Sequence, residues 1–340
     1  MTTFEQQPIP VLVDTDGGVD DALALIMALN SPQLDLKAIT VLAGNIDVDQ
    51  AANNVLRVLS IVEPNTLPIV AKGCEKPLVK QPFNAAGIHG VDGLGELDQF
   101  KEANGTPRYP KLTIEASTEN AIDVILKAAQ EYGDSLNIVA LGPLTNLATA
   151  IQKDAATMQK IGRIIIMGGA VTVPGNITAA AEFNFFVDPD AAQIVMESGI
   201  PLTLVGLDVT MKAPFPRQVV EDNLQRHPSK VTQFIADCTG IYMAFYRDNE
   251  GFYGCYLHDP LAIAVAINPS LVKTELLYMM VETQGRFTTG LSLADRRFRR
   301  NEKTNPPNVE ACLDVDTEEF LKLFDQLVRF KESAFLRNWT

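Results

Sequence analysis

Histidine is scarce in this sequence: His89, His227 and His258 are the only three among 340 residues. They stand far apart, and none pairs with a cysteine at ligand spacing, which argues against a Cys/His zinc site. Cys74, Cys238, Cys255 and Cys312 are equally scattered and form no CxxC. They read as ordinary reduced core residues, which fits a cytoplasmic protein. Positive charge is also in deficit, since 28 Lys and Arg against 42 Asp and Glu leave a net charge of −14. Such a chain repels phosphate backbones, so no nucleic-acid partner is expected. Uncharged apolar runs such as LAIAVAIN are far too short to span a bilayer, and no membrane partner is expected either. The opening residues, MTTFEQQPIP, lack the basic region and apolar core of a signal peptide.

What the chain has is a large apolar fraction, 46%, arranged in alternating patterns. Short runs rich in Val, Ile and Leu predict strands at 10–14, 36–43, 67–71, 136–141, 163–168, 202–207 and 276–282. Helical periodicity predicts helices near 19–30, 48–62, 117–131, 144–152, 188–198, 229–247, 259–267 and 317–331. This alternation predicts an α/β fold: an open, mostly parallel sheet with helices on both faces, formed by residues 1–340 as one domain. There is no internal repeat or linker. The stretch 72–113 is long and holds many Gly and Pro residues, the mark of a functional or mobile loop.

Ligands of open α/β sheets bind beyond the carboxyl ends of the strands. In VLVDTDGGVDDALAL, the first such end, Asp14, Asp16, Asp20 and Asp21 crowd together. A helix N-terminus favours one or two carboxylates, not four, and a bound cation is the simplest way to offset the rest. Oxygen ligands alone imply a hard ion, Ca²⁺ or Mg²⁺. The segment is not an EF-hand, because Val19 stands where that loop needs Gly. Other strand ends carry Gly44-Asn45, Leu141-Gly142-Pro143 and Met167-Gly168-Gly169, and the next loop brings Asn176, Glu182 and Asn184. Taken singly, each Asn is more simply a turn residue. His258 and Asp259 precede an apolar helix with Pro260 at its first position, where Asp259 alone reads equally well as an N-cap. His258, beside Tyr253 and Tyr256, is suited to act as an acid near neutral pH. His89 lies in the glycine-rich AAGIHGVDGLG, either as a loop tip closing over a ligand or as a solvated histidine. His227 reads as a surface helix end without a role.

Together these segments resemble the inosine–uridine-type nucleoside hydrolases, which are Ca²⁺-dependent N-ribohydrolases. VDTDGGVDD is similar to that family's DxDxGxDD signature, and the likeness continues through LAGN, GIHG, ALGPLTNLA, IIIMGGA, GNITAAAEFNFFVDPDAA, GLDVT and LHDP. Gly17 stands where many members have Pro, a change expected to alter only turn stiffness. YGCYLHDP and VETQG look closest to the plant and protist branch, with broad or uridine- and inosine-leaning specificity. The resemblance implies a homodimer or homotetramer acting in nucleoside salvage. It also implies that Asp16, Asp21, Asp259 and the Leu141 carbonyl hold calcium. By the same likeness, Asp20, Asn45, Met167, Asn176, Glu182 and Asn184 contact ribose, while His89, Tyr246, His258 and, more weakly, Tyr253 surround the base.

The chemistry of N-glycosidic hydrolysis matches that set. Positive charge builds on ribose and negative charge on the departing base, so oxygens around the sugar favour an oxocarbenium-like transition state. Asp16 is the expected general base toward a calcium-positioned water, with inversion at the anomeric carbon, and His258 the expected acid. Two rivals remain at this stage. VLVDTDGGV also resembles the first motif of haloacid-dehalogenase-type, Mg²⁺-dependent phosphatases, with Asp14 as nucleophile, although no later strand-end Lys or acidic pair completes that pattern. The other is a non-catalytic calcium- or sugar-binding protein of the same fold. The base is left open, because it depends on loops near 80–95 and 215–258.

Overall fold

A computed structural model describes residues 7–110, 116–297 and 305–329. Its strands are β1 Ile9–Thr15, β2 Leu34–Val41, β3 Ile69–Lys72, β4 Asn137–Ala140, β5 Arg163–Met167, β6 Leu202–Val205, β7 Pro214–Pro216, β8 Gly254–Tyr256, β9 Val272–Val281, β10 Ser292–Asp295 and β11 Val309–Val315. Nine of them form one sheet in the order β10-β9-β11-β6-β5-β4-β1-β2-β3. From β3 through β11 the neighbours are parallel, and β9 and β10 close one edge in antiparallel fashion. β7 and β8 make a separate antiparallel pair.

All seven expected strands are present. β6 stops at Val205 because Leu207 opens a single helical turn, Leu207–Thr210. β10, β11 and the β7/β8 pair were not anticipated. β11 reads VEACLDV, where Glu310 and Asp314 break the apolar run. The expected helices are also present. The one expected from 117 begins at Ala121, where the Asn120 side chain caps it by accepting from the Ile122 amide at 2.9 Å. The last spans Thr317–Arg329, and its expected end at 331 lies outside the described residues. Helix Arg217–Arg226 escaped notice because it is polar and buries only Val220.

Alternation along β1 explains the two-sided core. Val11 and Val13 face helices Val19–Asn30, Val48–Val62, Lys230–Glu250 and His258–Ile267. Leu12, between them, faces Ala121–Tyr132, Thr145–Lys153 and Pro189–Met196. Each such buried Leu or Val contributes about 1.5–3 kcal/mol, so β1 is held firmly from both sides. Chain order reverses at β1: β2 and β3 follow on one side, β4, β5 and β6 on the other. The connections leaving β1 and β4 part there and open a crevice beyond the strand ends.

Candidate active site

The floor of that crevice is the turn from Asp16 to Gly18, between β1 and helix Val19–Asn30. Gly17 has φ +72°, and a Cβ there would stand 2.7 Å from the Ala51 Cα. Proline, fixed near φ −65°, cannot adopt this backbone. The departure at Gly17 therefore changes the path of the turn as well as its stiffness, which corrects the expectation. Asp21 caps the helix it belongs to, accepting from the Gly18 amide at 2.8 Å and from the Thr15 hydroxyl. The Asp16 carboxylate accepts from the Asn45 amide at 2.8 Å and from Asn45 Nδ2 at 2.9 Å. Gly44 permits that approach, since a Cβ there would lie 2.0 Å from Asp16 Oδ2.

Oxygens of Asp20, Asp21 and Asp259 lie within 4.8 Å of one another, and all three residues are buried. Asp20, expected beside ribose, is thus part of the carboxylate cluster, and Asp16 adjoins it through Asp21. Burial, and next the charge of Asp21, pushes Asp20 up to about 8 and Asp16 well above the carboxylate range. Asp259 is raised by burial and then by Asp20, Asp21 and Asp16. No Lys or Arg forms an ion pair with these four among the described residues. The Leu141 carbonyl reaches the same crevice and accepts from Asn184 Nδ2 at 2.7 Å. A buried, oxygen-only set with uncompensated negative charge fits a hard metal ion.

Asp14 is different. It lies wholly buried and does not line the cavity, with Oδ1 accepting from Thr40 at 2.5 Å and Asn146 at 2.8 Å. Burial holds it near 7. It ties β1 to β2 and to helix Thr145–Lys153, and it is not placed to be a nucleophile.

Above the floor is a cavity of about 280 Å³. Asp20, Asn45, His89, Leu141, Met167, Asn176, Glu182, Asn184, Tyr246, His258 and Asp259 line it, with Asp16 and Asp21 buried outside its lining. Tyr253 does not; it is 46% exposed, packed under the Arg247 guanidinium, and its expected contact with the base is corrected. Glu182 caps helix Phe183–Val187 and accepts from the amides of Asn184 and Gly169, both at 2.9 Å. Asn184 Nδ2 also donates to the Met167 carbonyl at 3.1 Å, and Asn176 Oδ1 accepts from the Phe183 amide at 3.0 Å.

His89 is buried, which decides between the two readings of its loop. Its Nδ1 accepts from the Val19 amide at 3.1 Å, and its ring stacks on Tyr242 at 4.7 Å. Burial lowers it to about 4. His258 opens its helix, with Leu257 as the capping residue, so Asp259 lies in the first turn and is not the cap. His258 Nδ1 is 2.8 Å from Thr210 Oγ1, and Nε2 is 3.3 Å from Tyr246 Oη. Burial lowers this ring to about 4 as well. The expected acid near neutral pH is therefore a neutral imidazole, hydrogen-bonded at both nitrogens. Sequence reasoning missed Tyr242, Phe245 and Asn249, which line the cavity with Tyr246. Their spacing on helix Lys230–Glu250 is one helical face, and that stripe was the available signal.

The family model for inosine-uridine preferring nucleoside hydrolases matches residues 11–322. The chain belongs to that family. It is accordingly a nucleoside N-ribohydrolase, and the phosphatase alternative is not favoured. Among curated relatives, the pyrimidine-specific ribonucleoside hydrolase RihA of Citrobacter koseri is 38% identical, across 96% of this chain and 99% of that one. Two solved structures are similar throughout. The purine-preferring ribonucleoside hydrolase from Gardnerella vaginalis has a TM-score of 0.85 and 34% identity, covering 94% of this hydrolase and 98% of that chain. The plant nucleoside hydrolase PpNRh1 has a TM-score of 0.86 and 32% identity, covering 95% and 99%. The plant enzyme thus stands beside bacterial relatives of somewhat higher identity. No described helix is long and apolar enough to cross a membrane.

Proposed function

We propose that residues 1–340 act as one domain that hydrolyses pyrimidine ribonucleosides, uridine first, to free base and ribose. The observation that carries the reading is the carboxylate cluster of Asp20, Asp21 and Asp259, of which Asp20 and Asp259 line one cavity with Tyr242, Phe245 and Tyr246. The cavity's size suits a single small ligand. The pyrimidine preference rests on the relatives at 36–38% identity, all named pyrimidine-specific. Steady-state kinetics on inosine, guanosine, adenosine, uridine and cytidine test it. A higher kcat/KM for inosine or guanosine than for uridine would overturn the pyrimidine preference.

Asp16, Asp21, Asp259 and the Leu141 carbonyl would hold Ca²⁺, with Asp20 close by. When bound, the ion supplies a fixed positive charge that orients the ribose hydroxyls and an attacking water and makes that water more acidic. Asp16 accepts the water's proton, kept in place by the two hydrogen bonds from Asn45. Asp20, Asn45, Asn176, Glu182 and Asn184 grip the ribose, and their oxygens favour the positive charge that develops there. His89, Tyr246 and His258 face the base. Water attacks opposite the leaving group, so the anomeric carbon inverts. The reduced cysteines support a cytoplasmic enzyme, and family likeness supports a homodimer or homotetramer, which light scattering in solution would distinguish.

The departing base gains its proton through the hydrogen-bonded pair His258 and Tyr246, whose polar atoms are 3.3 Å apart, with the neutral imidazole relaying a proton drawn from solvent and not storing one of its own. A nucleobase leaves poorly as an anion, whereas p-nitrophenolate leaves well unprotonated. His258→Ala is therefore expected to lower kcat for uridine by about 100-fold and for p-nitrophenyl riboside by less than about threefold. Equal losses on both substrates would assign His258 a structural or ribose-contacting role.

Metal removal has a pH signature. Asp14 near 7 and Asp20 near 8 are raised far above the ordinary 3.8. A raised folded-state value means that the folded chain binds these protons more tightly than the unfolded chain. The resulting stability is full below about pH 4 and is lost as pH rises through about 7–8. His89 and His258, lowered to about 4, work the other way up to about pH 6.5, so above them chelated protein should melt several degrees lower at about pH 8.5 than at about pH 7. Added Ca²⁺ should restore more of the melting temperature at the higher pH. A chelated protein whose Tm climbs across this window would contradict the buried-carboxylate account.

A further inference from the structure

Asn54 touches neither cavity nor cluster, yet it is 1% exposed and all its side-chain hydrogen-bonding groups are engaged. It lies on helix Val48–Val62, outside the sheet. Its Nδ2 donates to the Gly17 carbonyl at 2.9 Å and to the Asp92 carbonyl at 2.7 Å. Its Oδ1 accepts from Gln50 Nε2 at 2.9 Å, which fixes the amide's orientation. The two carbonyls belong to different parts of the site. Gly17 is the centre of the aspartate turn, between Asp16 and the Gly18 amide that holds Asp21. Asp92 belongs to the loop that carries His89. Its own carboxylate folds that loop, accepting from the Leu94, Glu96 and Leu97 amides at 2.9, 2.7 and 2.8 Å. The Gly95 amide in turn donates to the His89 carbonyl at 2.8 Å.

Among the described residues, two hydrogen-bonded links join this loop to the aspartate turn and the helix that follows, beside a 4.0 Å approach of His89 Nδ1 to the Asp20 carboxylate. One is the Val19 amide donating to His89 Nδ1. The other is Asn54, with both of its amide hydrogens. We infer that Asn54 is a positioning residue: it sets how the His89 loop sits over the aspartate turn, and so how the base-side wall stands relative to the ribose floor. The side chain suits this task because only a primary amide of this length offers two donors to two carbonyls while presenting an acceptor to Gln50. Space is also tight, since a Cβ on Gly93 would lie 3.0 Å from Nδ2.

The two ends respond unequally to loss of the clamp. The aspartate turn keeps its bonds from Thr15, Gly18 and Asn45. The loop keeps the Val19 amide on His89, the Ala85 amide donating to the Asn45 carbonyl at 3.0 Å, and, near Asp92 itself, Arg57, whose Nη1 is 4.0 Å from the Asp92 carboxylate and which also pairs with Asp98. The Asp92 end of the loop is the weaker-held partner and is the part expected to move. Substrate retention then suffers more than chemistry.

This inference rests on the nucleoside-cavity reading, and wild-type turnover reports that reading separately. The test is a double-mutant cycle of Asn54→Asp with His89→Ala, measured by steady-state kinetics and calcium titration. Asn54→Asp keeps the shape and removes the NH₂, leaving at most the one donor of a protonated carboxyl, which cannot serve both carbonyls. Alone, it is expected to raise KM by about tenfold or more and to change kcat by less than about threefold, at unchanged calcium affinity. In the His89→Ala background it should raise KM no further. A KM increase of the same factor in both backgrounds overturns the inference, and so does a loss confined to kcat or to calcium affinity. Asn54→Ser keeps one donor; if Asn54→Asp does not accumulate folded, the serine variant carries the same cycle with a smaller but equally background-dependent rise. Failure of the wild-type chain to hydrolyse any nucleoside would instead strike the reading beneath it.

Discussion

Asp16→Ala is expected to lower kcat by at least about 100-fold, and by up to about 10⁴-fold, while substrate affinity falls far less. The split follows from what surrounds the carboxylate. Asp16 is fully buried and receives two hydrogen bonds from Asn45. Removing it leaves Asp20, Glu182 and Asn184 lining the cavity, so a nucleoside still finds most of its contacts. What is lost is the group proposed to take a proton from water. Gly44 and Gly142 close around Asp16, since a Cβ at either would come within 3.0 Å of its side-chain atoms. That tight fit leaves little freedom for another carboxylate to move in and take over. Rapid product analysis on the wild-type enzyme should show α-ribose before β-ribose. A drop in kcat of less than about tenfold would move the base elsewhere, and β-ribose as first product would exclude direct attack by water.

Asp21→Asn should weaken calcium binding and activity together, with affinity for the ion falling by about 100-fold or more. The Asp21 carboxylate is both a member of the cluster and the organiser of the turn. It accepts from the Thr15 hydroxyl, the Gly18 amide at 2.8 Å and the Asp16 amide at 3.3 Å. An amide in its place turns an NH₂ toward at least one of those donors, and loss of such a charge-assisted bond costs about 1.5–3 kcal/mol. It also removes one negative charge from the set that would hold the cation. Calorimetric calcium titration and turnover, measured on the same sample, check the coupling. Wild-type calcium affinity in Asp21→Asn would take Asp21 out of the metal site.

Much of this molecule could be read along the chain. Strands such as RIIIM, and helices with caps such as Asn120 and Asp47, carry local signals that depend only on neighbours in sequence. The missed pieces carry weak ones. Ser292–Asp295 is four residues at a sheet edge, and Arg217–Arg226 has a single buried side chain, so neither shows a clear apolar period. The site shows the same division. Asp16 and Asp21 share one turn, and the spacing alone places them together. Tyr246 and, more weakly, Tyr253 both read as base contacts in sequence, yet Tyr246 lines the cavity and Tyr253 packs against Arg247.

The sequence by itself determined the residue types at the strand ends, and with them an oxygen-only, acidic floor and the family to which the chain belongs. Tertiary structure decided that Asp259 joins the aspartates of the first turn. Asp20 and Asp21 come from the first turn of helix Val19–Asn30, Asp259 from a helix more than 200 residues later, and the reversal of strand order at β1 helps to open the space they share. It also decided the charge states, because burial, which no local pattern encodes, raises Asp16, Asp20 and Asp259 and keeps His89 and His258 neutral.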